Sequence, residues 1–448
     1  MLKADRTYFL LILLHIVIGA LLYNNTILPK VYGYTIIFGG IFYIINSQNK
    51  NNEVLYAISY MVGSEIILRM TNGNPVYEFS KYGVMIFTLI GIYYQGISKN
   101  AVAYWLFLIL LIPGVLIATM ELNYTISLRK EISFNISGPV CLGICSLYTY
   151  NRKVTIEEVN NILLCVGLPI ISCLIYLTIY TPNIRDVITG TESNGLTSGG
   201  FGPNQVSTML GLGMFIFTSR LILLSQSVFL LALNLFLTLY LTYRGFVTFS
   251  RGGMLTGFIM IAVLIVTTYF LINKKKKLRM LTMIVFAAGT FTAAWLYSSN
   301  QTNGMIVKRY ANQDASGRAK EDLTTGRGDL AAEEFDIFLK YPVFGIGVGR
   351  NMETRYEQTG EIIVSHSEIT RMIAEHGSLG VLALMILFLT PLILYFDNKY
   401  NIYLVCFLAF WLFTINHAAM RLAAPAFIYS LSLLKVVKSK EEKLFQSE

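Results

Sequence analysis

The sequence predicts an all-α polytopic membrane protein, with about 12 to 14 helices crossing the bilayer and one long, partly helical connection between them. Three observations carry this. Of the 448 residues, 54% are hydrophobic and only 14% are charged, whereas ordinary soluble domains carry roughly 25% charged residues. Apolar runs recur along almost the whole chain, each long enough to cover a hydrocarbon core of about 30 Å. One stretch, between Leu296 and Leu379, breaks that rhythm.

The runs fall at 8–23, 27–45, 54–70, 82–98, 101–119, 132–148 and 159–180, then at 204–219, 221–242, 252–272, 278–298, 379–396, 401–415 and 420–435. The first has no small-residue cleavage site behind it and reads as a retained span. Prolines and polar residues interrupt 132–148 and the last two. The chain is thereby divided into a membrane bundle over 1–298, a loop over 299–377, and C-terminal spans with a basic tail over 378–448. The five cysteines, Cys141, Cys145, Cys165, Cys173 and Cys406, all lie inside expected spans, where a thiol behaves as a small apolar group. No disulfide or metal framework follows from them.

Lysine and arginine in short loops set orientation. With the start of the chain on the cytoplasmic side, alternation places Asn151 to Lys153, Lys274 to Lys277 and the tail from Lys435 to Lys443 on that side too. The lysine run reads as a topogenic anchor. A second basic population, mostly arginine, then falls on the opposite side. It comprises Arg69, Arg129, Arg185, Arg244, Arg251, Arg309, Arg318, Arg327, Arg350, Arg355, Arg371 and Arg421, within a net charge of +9. Guanidinium groups stay charged in dry sites and hold phosphate in a two-pronged fork. Arginine on that side points to an anionic ligand at the membrane boundary, and nothing in the pattern suggests a nucleic acid.

The loop has internal order. Acids in the first turn, Lys340 near the end and Pro342 beyond it predict a helix over 329–340. The glycines of 344–349 predict close backbone packing against membrane helices. Ser365 followed by Glu368 reads as a capping box that starts a helix at His366 and lets Gly377 end it. At that position the helix dipole and partial burial keep the imidazole neutral near pH 7, so it can accept a proton from a hydroxyl. Arg371 is expected to pair with Glu368 or Glu375, Glu65 and Arg69 sit one turn apart, and His376 reads as a helix C-terminal cation. His15 reads as an interhelical hydrogen-bonding residue. His417 and Arg421 open the final span.

Three stretches, Ser-Arg-Gly-Gly at 250–253, residues 326–351, and residues 366–380, occur in an order that resembles the O-antigen ligase and O-antigen polymerase superfamily. The resemblance covers roughly residues 204–396. It implies a GT-C-like membrane glycosyltransferase at the periplasmic face of the bacterial inner membrane. The implied donor is a glycan on undecaprenyl pyrophosphate, and the acceptor is a lipid A core sugar or a lipid-linked glycan among membrane lipids. By resemblance Arg251 matches the Ser-Arg-Gly-Gly arginine, Arg327 the loop arginine and His366 the loop histidine. Where ligases and many polymerases often carry His-Asn, this chain has His366-Ser367, and both acceptor classes stay open.

The chemistry read from the residues agrees with this. A diphosphate already leaves well, so cations to hold its charge and a base for the acceptor hydroxyl are enough. There is no Asp-x-Asp motif and no cluster of metal-ligand spacing, so neither metal nor cofactor is expected. The expectation is that Arg251 and Arg327, with Arg244 as helper, clamp the diphosphate, and that His366 directs an inverting displacement. Arg421, Arg69, Glu65 and Arg371 are further candidates. The competing class is a flippase for lipid-linked glycans, which should show two repeated halves and interrupted helices. No internal repeat is visible.

Overall fold

A computed structural model describes residues 3–123, 128–271, 274–320, 326–361 and 363–438. The end of the basic tail, and Thr324 and Thr325 of the turn before Arg327, lie outside these. In chain order the helices are α1 (Lys3–Asn24), α2 (Leu28–Ser47), α3 (Glu53–Met70), α4 (Phe79–Gln95), α5 (Val102–Glu121), α6 (Leu128–Thr149) and α7 (Ile156–Tyr180). There follow α8 (Pro203–Leu223), α9 (Val228–Phe246), α10 (Arg251–Leu271), α11 (Lys274–Gln301) and α12 (Met305–Tyr310). The remainder are α13 (Arg327–Lys340), α14 (Arg350–Thr359), α15 (Glu368–Asp397), α16 (Leu404–Ile415) and α17 (Ala424–Leu431). The described strands are β1 (Lys153–Val154) and β2 (Lys435–Val436), a parallel pair.

Among the described residues ten helices are long and apolar enough to cross a membrane, so the protein is an all-α, multi-pass membrane protein. The run at 54–70 became α3, whose Glu65 and Arg69 are buried rather than absent. The runs at 401–415 and 420–435 became helices of 12 and 8 residues. At about 1.5 Å rise per residue neither alone crosses the hydrocarbon. The lysines from 274 begin α11 instead of forming a loop, because nothing there breaks the helix.

The chain forms two compact units, residues 1–79 with 157–321, and residues 80–156 with 322–448. In the first, α8 is the most enclosed membrane helix. It meets α10 through small residues: a Cβ on Gly211 would lie 2.2 Å from the carbonyl oxygen of Gly253, and one on Gly253 would lie 2.3 Å from Thr208 N. Without a hydrophobic drive between membrane helices, such close approach supplies the dispersion energy that holds them. The glycines of the Ser-Arg-Gly-Gly stretch thus fix where α10 begins.

In the second unit a strap of backbone, residues 345–349, crosses α5 and α15. Ile346 N and Gly347 N donate to Ala374 O and Glu375 O at 3.0 and 3.1 Å, and Val348 N donates to Gly114 O at 3.0 Å. A Cβ on Gly345 would stand 2.4 Å from Glu375 C, and Gly345 has φ +70°. The glycine-rich turn therefore packs backbone to backbone, as the sequence predicts. Gly377 has φ 60° and ψ −140°, which divides α15 into a short polar helix and a membrane helix. Only glycine adopts that conformation cheaply.

Candidate functional site

The loop helix α13 starts two residues earlier than expected, at Arg327. Its Glu334 is buried and accepts hydrogen bonds from Arg355 Nη2 (2.9 Å), from the Ser365 hydroxyl and from the Thr370 hydroxyl. Arg355 also donates Nη1 to Ser365 Oγ at 3.1 Å. Those contacts correct the expected capping box. Ser365 Oγ is engaged by Glu334 and Arg355, so Ser367 caps instead, accepting from Thr370 N, and the helix begins at Glu368. His366 precedes the cap rather than occupying the first helical position.

The segment around His366 is tied down on both sides. Ser365 O accepts from Arg421 Nη2 at 2.9 Å, and His366 O accepts from Ala419 N at 3.1 Å. The imidazole is half-buried, and among the described residues its enclosed Nδ1 has no hydrogen-bond partner. Burial first, then the charges of Arg421 and Arg327, with a smaller contribution from His417, push its pKa down to about 4. The ring is neutral at pH 7, the state the sequence predicts, but guanidinium neighbours take the place of the helix dipole as the electrostatic cause. His417 sits beside this group, with Nδ1 2.8 Å from Phe413 O.

Arg371 has another task. It binds both Glu368 and Glu375, and donates to Asn135 O at 2.9 Å. Glu375 also accepts from Gly349 N at 2.9 Å, and Glu368 from Met420 N at 3.3 Å. This enclosed ion triad ties α6, the strap and the turn before α17 to α15. His376 is corrected too. It is buried against Gly114, where an added Cβ would lie 2.3 Å from Nδ1, so it is a packed core residue and not a cation at an exposed helix end.

In the first unit Arg251 is the first residue of α10. An arginine there adds its charge to the positive end of the helix dipole, an arrangement unfavourable by itself and attractive to an anion. It lies within electrostatic reach of Arg309 and Glu192. Arg309 donates Nε to Phe249 O at 3.0 Å, and burial followed by the charge of Arg251 lowers its pKa. Glu192 is held below its usual range by a hydrogen bond from Lys320, with the charges of Lys320, Arg309 and Arg251 adding to it. Ser250 Oγ donates to Asn204 Oδ1 at 2.8 Å, fixing the turn ahead of Arg251.

The other candidates of this unit are placed as follows. Arg244 is buried and donates to Thr181 O (3.3 Å) and Leu177 O, the carbonyls at the end of α7. Arg69 donates to Glu65 at 2.8 Å, and its guanidinium lies 4.6 Å from the centre of the Tyr77 ring. His15 bonds Leu11 O at 2.8 Å and Tyr60 Oη at 3.0 Å, the interhelical role expected of it.

The chain belongs to the class of multi-pass helical membrane proteins, and its polar loop segments place a histidine in the field of two guanidiniums. Within that class, residues 235–385 match a family described as O-antigen ligase, and over this third of the chain the resemblance read from the sequence holds. The match supports glycan transfer of the O-antigen ligase and polymerase type by a membrane enzyme. It takes in Arg244, Arg251, Arg327, His366 and Arg371, and leaves out Glu65, Arg69 and Arg421. No curated protein matches the chain. Glu334 and Arg355, which hold the His366 segment, carried no sequence signal beyond acid and base types. Arg309 was visible only as one arginine among twelve.

Proposed function

We propose that the protein transfers a glycan from a polyprenyl diphosphate carrier, undecaprenyl pyrophosphate, to a sugar hydroxyl on lipid A core or on another lipid-linked glycan. The reaction takes place at the periplasmic face of the bacterial inner membrane. The observation that carries this is His366, a neutral imidazole with an enclosed, unbonded nitrogen in the field of Arg327 and Arg421. In this reading the imidazole accepts the acceptor hydroxyl proton while the oxygen attacks the anomeric carbon from the face opposite the diphosphate, inverting it. Arg327 neutralises charge building on the leaving diphosphate, the role a metal fills elsewhere.

An imidazole with a pKa near 4 is a weak base. A bound diphosphate would offset the guanidinium charges and raise that value, so the base becomes effective when the donor is present. Arg421 joins this electrostatic group. Arg244, whose Nη1 and Nη2 donate to carbonyls at the end of α7, braces α9 against α7.

The experiment is glycan transfer by purified protein from lipid-linked donor, with and without chelator. Transfer that persists in chelator and disappears in His366→Ala is expected. Transfer abolished by chelator, or retained in His366→Ala, would sink the mechanism. Analysis of surface polysaccharide after gene deletion then separates the two acceptor classes: long chains retained on carrier lipid indicate a ligase, and single repeats indicate a polymerase.

A further inference from the structure

The two sides of α13 do different work. Glu334 faces the His366 segment, while Glu333, Asp336, Ile337 and Lys340 line a cavity of about 550 Å³. Ile117 and Glu121 of α5, Ile346 of the strap, and Arg350, Thr354 and Glu357 of α14 complete its walls. That volume lies in the range of small-molecule sites, about 300–1,000 Å³. The cavity belongs entirely to the second unit.

Its chemistry is not that of the histidine cluster. Four carboxylates, Glu121, Glu333, Asp336 and Glu357, face two cations, Lys340 and Arg350. Glu121 is paired with Arg350, and Glu333 with Arg355 at 2.9 Å. Asp336 and Glu357 remain exposed at the cavity, where Glu357 accepts a long 3.5 Å contact from Asn123. Carboxylates in this excess repel a phosphate or a uronic acid, and they accept pairs of hydrogen bonds from neighbouring hydroxyls. Lys340 and Gln358 supply donors, and Tyr341, 56% exposed, offers a ring face to the C–H side of a sugar. Among the described residues no trio of His, Cys, Asp or Glu is arranged to hold a metal ion.

The geometry points to a saccharide-binding site in this cavity, one that takes a short run of uncharged or amino-bearing sugar rings of the glycan being transferred or extended. It rests on the glycan-transfer reading for the identity of the polyhydroxylated ligand. Arg355 joins the two sides, donating Nε to Glu333 at the cavity and Nη2 to Glu334, which holds Ser365. A sugar drawing on Glu333 therefore changes the load on the carboxylate that positions the histidine segment.

Saturation-transfer NMR on the full chain in detergent micelles tests this. The probes are chitotriose, its de-N-acetylated trimer and tri-galacturonate. The first two are expected to receive saturation at their ring protons, and the anionic trimer is not. The double variant Asp336→Ala, Glu357→Ala removes exposed acceptors without touching the core, and Thr354→Trp fills the cavity. Each should weaken binding by about tenfold or more. His366→Ala, which ends transfer under the proposed function, should leave the sugar signal intact. The site is refuted if both cavity variants bind like wild type, if tri-galacturonate binds equally well, or if no probe registers up to about 10 mM, where a millimolar Kd would be seen. Sugar binding by a wild-type protein that transfers nothing would keep the cavity and overturn the transferase reading.

Discussion

Arg355 holds two adjacent carboxylates at the same distance, 2.9 Å, and this gives an internal comparison of what burial does to an ion pair. The side chain of Glu334 is 2% exposed and that of Glu333 is 34% exposed. Removing one partner of a buried pair strands the other charge in a poor dielectric, a loss of about 3–5 kcal/mol. A pair reached by water contributes about 0–1 kcal/mol; here water screens the Glu333 end, and Arg355 keeps Glu334 as its partner when Glu333 is removed. Glu334 also accepts the hydroxyls of Ser365 and Thr370, each of which would lose its partner at a cost of about 1–3 kcal/mol if unsatisfied.

Glutamine keeps the volume and one acceptor oxygen, so part of the loss is recovered. We expect Glu334→Gln to destabilise by about 2–4 kcal/mol, and Glu333→Gln by less than about 1 kcal/mol. Thermal unfolding in micelles reads the difference, and hydrogen exchange at residues 363–371 localises it. Because Ser365 directly precedes His366, Glu334→Gln should also reduce turnover by about tenfold or more, since small misplacements of a reacting group are costly. Equal effects of the two substitutions, or a silent Glu334→Gln, would refute the assignment of Glu334 as the residue that positions the histidine segment.

The remaining predictions concern pH, Arg327 and the strap. A folded-state pKa of about 4 keeps His366 neutral down to that region. Transfer measured as kcat/KM should thus be level from about pH 8 to 5.5 and fall as pH approaches 4, whereas a midpoint near the ordinary value of about 6.5 would contradict the burial and guanidinium effects. Stability follows the same linkage: between about pH 6.5 and 4 the unfolded chain binds this proton and the folded one does not, so acidification through that window destabilises. Arg327→Lys should lower transfer by about a hundredfold, as a point ammonium cannot reproduce a fork, and near-normal turnover would remove Arg327 from the diphosphate. Gly345→Ala should cost about 2–5 kcal/mol, combining the left-handed backbone with overpacking against Glu375, seen as a lowered melting temperature.

Most of the fold was legible because lipid imposes it: an apolar run long enough to cross must become a helix whatever its partners. Helix α13 was legible for a local reason, with acids, a lysine and a proline in the places its ends require. The start of α15 was misread because Ser365 and Ser367 are both suitable caps, and the choice between them was settled by side chains of two other helices, Arg355 of α14 and Glu334 of α13. His376 was misread because its burial depends on Gly114, more than two hundred residues earlier. The sequence showed that arginines were many without showing their tasks: Arg244 and Arg371 hold backbone or carboxylates within the fold, while Arg327 and Arg421 set the field at His366.

Gly345 and Gly377 come from opposite sides of one crossing, and a Cβ on Gly377 would lie 2.7 Å from Gly345 N. Both have positive φ, so neither can yield room by accepting a larger neighbour. Their tolerance to mutation is therefore joint: no second change at one position can rescue the other. In a saturation library selected for assembled protein, the two columns should be depleted together across every amino acid, while Gly96, with open space around it, should be limited only by its own backbone. Directed evolution of this protein would have to treat the crossing as a fixed point and seek variation in the helices that radiate from it.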